Sequence, residues 1–347
     1  MRIGTASGKP CRISTDSSNR SVCITGLSGT GKTVRLNQLE LSALQKGASV
    51  LVLDVGHTHA AEDVFQPMRK NFSRAANYID AKEGLGLGIF RTLETDQGKK
   101  EPVVQVVNSA VSALSAGQRM GPRQLGALRE AVIDVMKNRR YAGSEAEALE
   151  SALAGRENDE HAAAVYQKLW TILHCGALNP ASKYLQTGKI NILDLSDTDT
   201  ITQTALVELI LHTLWRKIRF AGLQRKQQKI TIVLDEFQNL PLKSGSLLCN
   251  MLREGRKFGV NFLLATQSLM SFPREVRPII GQTATQLYFR PAPSEIKSIA
   301  KTIDFEKAAV WEKILSNLKV GECVAVGEFE VNGAEVKRPL KLSGIDF

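Results

Sequence analysis

Long apolar runs are missing from this 347-residue sequence. No stretch approaches the roughly eighteen residues that a membrane helix needs, so no membrane span is expected. The opening residues, MRIGTASGKPCRIST, lack the apolar core of a secretion signal, and a cytoplasmic location is expected. Cysteine is scarce: the five (Cys11, Cys23, Cys175, Cys249 and Cys323) are scattered and never form a C-x-x-C pair. That argues against a disulfide framework and against a zinc site. Histidine is equally scarce. His57 and His59 stand two apart with no third ligand nearby, and read as part of a polar loop after a strand. Ser28, Ser196 and Ser268 have no histidine and acid in the order or spacing of a hydrolase, so nucleophilic catalysis has no support. No fixed-period repeat or low-complexity segment is present.

The composition is that of an ordinary globular protein, 43% hydrophobic and 23% charged. The formal net charge is +10. A basic excess of that size favours polyanionic partners, most often nucleic acid. Short β-rich runs alternate with helical stretches, the pattern of a parallel sheet with crossover helices. Buried strands are predicted at Ser21–Thr25, Ser49–Asp54, Ile190–Leu195, Ile230–Leu234, Asn261–Ala265 and Gln286–Phe289. Helices are predicted at Thr33–Lys46, stopping at Gly47, and at Thr202–Phe220. In the second, Leu206, Leu209, Ile210 and Leu214 form one stripe with Thr213 its polar member. Arg216, Lys217 and Arg219 in its last turns suit the negative end of the helix dipole. Strand signals fade between Val103 and Lys183, where Gly126–Asn138 and Ser144–Ala154 look helical and Trp170–Leu173 adds an apolar segment. The reading is a single α/β domain with a helical insertion at 104–185.

The strongest motif is Gly26-Leu27-Ser28-Gly29-Thr30-Gly31-Lys32-Thr33, which matches G-x-x-x-x-G-K-[ST] with a strand before it and a helix after it. The glycines let successive backbone N–H groups point at phosphate oxygens, and the helix N-terminus adds its partial positive charge. Lys32 is placed for the β- and γ-phosphates and the Thr33 hydroxyl for Mg²⁺. Nucleotide-binding residues are therefore expected at Gly26, Ser28, Gly29, Thr30, Gly31, Lys32, Thr33, Val34 and Asp235. The second motif is a buried strand ending in Asp235-Glu236. Two carboxylates there need a compensating cation; Asp235 suits Mg²⁺ and Glu236 suits polarising the attacking water. The third is the strand ending in Thr266-Gln267-Ser268, where a terminal amide can touch both the γ-phosphate and the water. Between the last two lies Leu252–Gly259, with three cations, Arg253, Arg256 and Lys257. This run is expected at the rim of the sheet near the nucleotide edge. Gly84-Leu85-Gly86-Leu87-Gly88 resembles a dinucleotide loop, but its spacing is wrong and it reads as a turn.

Taken together, the P-loop, the Leu-Asp-Glu strand end, R-E-G-R-K-x-G and L-L-A-T-Q-S resemble the HerA–FtsK superfamily of hexameric DNA-pumping ATPases, the HerA branch most of all. The likeness runs from about Arg20 to the C-terminus, through Ile190–Ser196 and Lys319-Val320-Gly321-Glu322. It implies a RecA-like sheet, ATP and Mg²⁺ as cofactors, a homo-oligomeric ring with ATP at subunit interfaces, and DNA in a basic channel. Lys32, Thr33, Asp235, Glu236 and Gln267 carry over directly. Arg256, with Arg253 second, is implied as the arginine that reaches the neighbouring subunit's nucleotide. The chain departs from the family in two respects. Only about twenty-five residues precede Gly26, where HerA proteins carry a β-barrel and coupling proteins carry membrane helices. Asp54-Val55-Gly56-His57 stands where Asp-x-x-Gly-Glu is usual. The leading expectation is a DNA translocase acting in conjugative transfer, DNA processing or anti-phage defence. A genome-packaging motor is one alternative, and an ATPase scaffold that regulates a partner effector without translocation is another; a nuclease or relaxase is a candidate partner.

Overall fold

A computed structural model describes residues 1–14, 20–95, 97–138, 144–156, 158–222, 229–240 and 242–343. Among these residues the strands are β1 (Arg2–Ala6), β2 (Lys9–Ile13), β3 (Val22–Thr25), β4 (Ser49–Asp54), β5 (Ala76–Asp80), β6 (Ile190–Asp194), β7 (Ile230–Leu234), β8 (Val260–Thr266), β9 (Thr285–Tyr288), β10 (Cys323–Val326), β11 (Phe329–Val331), β12 (Ala334–Val336) and β13 (Leu340–Leu342). The helices are α1 (Lys32–Gln45), α2 (Gln66–Ala75), α3 (Val103–Ser115), α4 (Pro122–Asn138), α5 (Glu145–Ala154), α6 (Glu160–His174), α7 (Thr200–Ala221), α8 (Leu247–Glu254), α9 (Arg277–Ile280), α10 (Pro293–Ile303) and α11 (Ala308–Ser316). No described helix is long and apolar enough to cross a membrane.

The main sheet has the order β13-β10-β9-β3-β8-β7-β4-β6-β5. Its centre is parallel: β3 lies between β8 and β9, β8 beside β7, and β7 beside β4. The six predicted strands are all present within a residue or two of their expected ends. Most of these strands are short runs rich in Val, Ile or Leu, as expected of strands covered on both faces. Every residue of β3 and of β8 is buried. A smaller sheet, β1-β2-β11-β12, has no counterpart among the predicted elements. Its hairpins turn at Ser7-Gly8 and Asn332-Gly333, where all four residues have positive φ. Such turns twist in the sense that two antiparallel strands need.

The described residues form two compact units. The first takes those of 1–77, 186–192 and 226–347 and holds nearly all of the main sheet. The second takes those of 78–185 and 193–225, a wider span than the insertion expected at 104–185. It starts earlier and takes in α7 because α3 packs on α7 as well as on α4. The cations near the end of α7 do not serve their own helix end alone. Arg216 donates to the Ile89 carbonyl at 2.7 Å and pairs with Glu101 at 3.2 Å, and Lys217 donates to the Leu87 carbonyl at 2.8 Å. They anchor the glycine run 84–88. At Gly84, φ is +98°, and a Cβ there would come within 2.2 Å of the Pro180 carbonyl. The run is a close crossing of two segments, with no strand-to-helix turn.

Phe262 in β8 is 1% exposed and stands beneath the strand end that carries Gln267. Phe262→Ala should cost about 3–5 kcal/mol, read as a lowered urea midpoint. Lys257→Ala, on the exposed turn before β8, should change stability by no more than about 0.5 kcal/mol and leave the midpoint nearly unmoved.

Candidate functional site

The chemistry-bearing residues gather at the carboxyl ends of the parallel strands of the first unit. The chain leaves β3 at Gly26, whose N–H donates to the Thr266 carbonyl at 3.3 Å, and the next N–H, of Leu27, donates to Arg290 at 3.0 Å. Gly26 has φ of +151°, and a Cβ there would lie 2.7 Å from Phe289 Cβ. Only glycine fits that exit. Thr30 Oγ1 donates to the Leu27 carbonyl at 2.7 Å and closes the loop on itself. The Gly321 N–H donates to Thr30 O at 2.9 Å and buttresses it from outside. Fully buried Arg35 donates to the carbonyls of Ile3 and Gly321, so α1, β1 and this buttress are tied through one guanidinium. Sequence reasoning missed it: nothing local distinguishes it from a surface arginine.

Helix α1 opens on Gly31, which offers no side-chain cap, and its first turn carries no acidic residue. Its first N–H groups, with the loop's own, make an anion-binding end. Lys32 is buried and donates to the Leu27 carbonyl at 3.1 Å. Burial holds its pKa below the usual lysine value, against the pull of Glu236 and Asp235. Thr33 Oγ1 donates to Asp235 Oδ2 at 3.3 Å. Two hard oxygen donors facing each other beside an uncapped helix end fit a divalent cation with a phosphate ligand. Ser28 and Gly29 are exposed on the loop and Val34 is half-buried in the first turn of α1.

Asp235 directly follows β7 and is 5% exposed. Burial raises its pKa, and the nearby positive charge of His59 works against that rise. Glu236 follows with φ of +49° and ψ of +37°, a left-handed conformation rare outside glycine. Gln267 Nε2 lies 3.2 and 3.1 Å from the two Glu236 oxygens. Gln238 Nε2 donates to the same carboxylate while its Oε1 accepts from Thr266 Oγ1 at 2.7 Å. Two amides therefore aim one carboxylate. Gln238 was not among the sequence candidates; its position four residues past the strand end was its sole signal.

One expectation is refined and one is corrected. His59 lies in the loop after β4, as expected, but not at the surface. It is 0% exposed, with Nε2 2.9 Å from Glu40 Oε1 and its backbone N–H 3.0 Å from Asp54 Oδ2. Burial alone would lower its pKa, but Glu40 and Asp54 push it up to about 10. Asp54 in turn sits below the usual carboxylate range: burial opposes this, and the His59 bond and charge outweigh it. The run Arg253–Lys257 is not at the nucleotide edge either. It forms the end of α8 and a 3-10 turn at Gly255–Phe258, and the Gly259 carbonyl accepts from Ile230, the first residue of β7. A crossover must return to where the next parallel strand begins, so it meets the sheet at its amino edge. Arg256 there is exposed, and Arg253 donates to the Ser244 carbonyl at 3.2 Å. A seven-residue β8 sets Arg256 roughly 20 Å from Gln267.

No family model matches the sequence, and no curated protein matches it. Solved structures do match in fold. VirB4 of Thermoanaerobacter pseudethanolicus superposes with a TM-score of 0.73 at 15% identity, over 99% of this chain and 96% of that one. The bacterial conjugative coupling protein TrwBdeltaN70 in its unbound monoclinic form gives 0.64 at 14% identity, over 100% and 89%. Plasmid coupling protein TrwB in complex with ADP and Mg²⁺ gives 0.62 at 14%, over 100% and 90%. The fold is thus the RecA-like P-loop arrangement of those chains.

His59 has its pKa raised from 6.5, so its contribution to stability is complete below about pH 6.5 and is lost as the pH climbs through about 10. The gap in urea midpoint between the parent and His59→Gln should be large at pH 7 and shrink by pH 10.5. A gap that stays constant would mean that His59 is neutral throughout.

Proposed function

We propose that this chain is a Mg²⁺-dependent ATPase of the HerA–FtsK type and works as a ring-forming DNA motor. The observation that carries the ATPase reading is the meeting of Thr33 and Asp235 at 3.3 Å directly beside the P-loop, with Glu236 held by Gln267 at the adjoining strand end. Thr33 and Asp235 would hold Mg²⁺, which when bound neutralises charge between the β- and γ-phosphates. Lys32 swings from the Leu27 carbonyl to the same oxygens. Glu236, an acceptor fixed by two amides, orients the attacking water and takes its proton. Gln267 touches that carboxylate and so senses whether the γ-phosphate side is filled.

The DNA reading rests on the net charge of +10 together with a fold shared over nearly the whole chain with a conjugative coupling protein. In this reading Arg256 acts in trans. Its place at the amino edge keeps it from the nucleotide of its own subunit, so a phosphate on a neighbouring copy is the anion left to it. A permanently charged planar fork suits that task.

Glu236→Gln should retain ATP and slow phosphate release by about 10²–10⁴, whereas hydrolysis at the parental rate would remove Glu236 from the chemistry. Double-stranded DNA should stimulate turnover of the parent. Its affinity should fall about a thousandfold between about 50 and 200 mM salt for some six phosphate contacts; a flat salt response would oppose DNA as the track. Arg256→Ala alone should lose turnover by roughly 10³ or more. Mixing it with Lys32→Ala protein should restore a part, since one interface then pairs an intact P-loop with an intact arginine. A mixture that forms joint rings and stays inactive would exclude the trans role.

A further inference from the structure

One enclosed polar cluster lies beside the carboxylate pair without entering the chemistry above. His59 and Glu40 are both 0% exposed and Asp54 is 2% exposed. The His59 ring spans the cluster. Nε2 meets Glu40 Oε1 at 2.9 Å, while Nδ1 lies 3.1 Å from Thr58 Oγ1 and 3.6 Å from Asp54 Oδ2. The other Asp54 oxygen accepts the N–H groups of Gly56 and Thr58 at 3.3 and 3.1 Å. Asp54 is thereby fixed by its own turn, and His57 at φ of +53° reverses the chain so that His59 can face back.

The elements that contribute these groups also carry the cation site. Glu40 lies on α1, the helix whose first turn presents Lys32 and Thr33. Asp54 ends β4, which pairs with β7 in register Leu53↔Leu234, so the next residue along each chain brings Asp54 level with Asp235, the residue after β7. His59 therefore joins the helix bearing one oxygen ligand to the strand beside the one bearing the other. Imidazole suits a link of fixed length: it is planar, its two nitrogens point apart, and it has few rotamers. A lysine in its place would reach one carboxylate with a flexible stem. Two buried carboxylates would be unfavourable without such a partner.

We infer that His59 is a positioning residue for the divalent-cation site, bridging Glu40 and Asp54 so that Thr33 and Asp235 stay at the separation one cation requires. The inference rests on the nucleotide reading of that site. Partners one step removed from metal ligands typically change metal affinity by about 10- to 100-fold when removed. A core histidine without this function would change stability and leave the metal requirement alone.

The test uses the full chain as parent, His59→Gln and Glu40→Gln, the last keeping the shape of the acceptor while removing its charge. Mg²⁺ is titrated against ATP turnover, and a fluorescent ATP analogue is bound separately in EDTA. Both variants should need about 10-fold more Mg²⁺ for half-maximal turnover, should recover lost turnover as Mg²⁺ is added, and should bind the analogue in EDTA as the parent does. Unshifted Mg²⁺ dependence in either folded variant overturns the inference, as does an equal loss of metal-free binding. If His59→Gln shows no cooperative thermal transition, Glu40→Gln decides alone. A parent that neither binds nor turns over ATP overturns the nucleotide reading and the inference with it, an outcome distinct from an active parent with unshifted variants.

Discussion

A carboxylate at the end of an apolar strand is unfavourable unless positive charge and hydrogen-bond donors meet it there. Asp235 is 5% exposed, and the local structure around it answers that requirement. Thr33 donates to it, the N–H of Glu236 donates to its other oxygen at 2.9 Å, and Lys32 and His59 place positive charge nearby. These groups reach it from three different elements. Thr33 and Lys32 come from the start of α1, Glu236 from the turn after β7, and His59 from the loop after β4. The parallel register of β4, β7, β8 and β3 is what brings those ends to one edge. Remove the carboxylate and the convergence has no purpose; remove the register and the carboxylate has no partners.

The same register gives the sheet two unlike edges. The carboxyl edge holds the loop, the carboxylates and Gln267, while the amino edge holds the exposed cation of Arg256. One subunit of this kind cannot bring its own Arg256 to its own P-loop. Under the proposed trans role, two copies arranged head to tail bring the arginine of one to the P-loop of the next. A heterologous contact of this sort closes into a ring when the rotation permits.

Much of this was legible in the sequence, and the parts that were not have identifiable causes. The octapeptide Gly26–Thr33 and the strand end at Asp235-Glu236 place the site because glycine, lysine and paired carboxylates leave few other readings in that context. The six strands of the main sheet were legible because most are apolar runs rich in Val, Ile or Leu, the pattern that burial on both faces favours. The outer strands were not: β1, β2, β11 and β12 are three to five residues long and mix polar with apolar positions. Asn332-Gly333 was nonetheless a readable hairpin signal. The loop after β4 was legible, but the burial of His59 was not, because it depends on Glu40, nineteen residues earlier and on another element. The edge on which Arg256 lies was not legible, because a whole strand, β8, separates it in space from Gln267 although the two are close in sequence.

The measurement that bears most directly on the central claim is calorimetric titration of a non-hydrolysable ATP analogue with Mg²⁺ into the parent chain and into Lys32→Ala. The account predicts one site per chain in the parent and at least a roughly hundredfold weaker interaction in the variant, a buried charge-assisted contact being worth about 2–3 kcal/mol or more. Equal affinity in both proteins, or no binding by the parent, would contradict it.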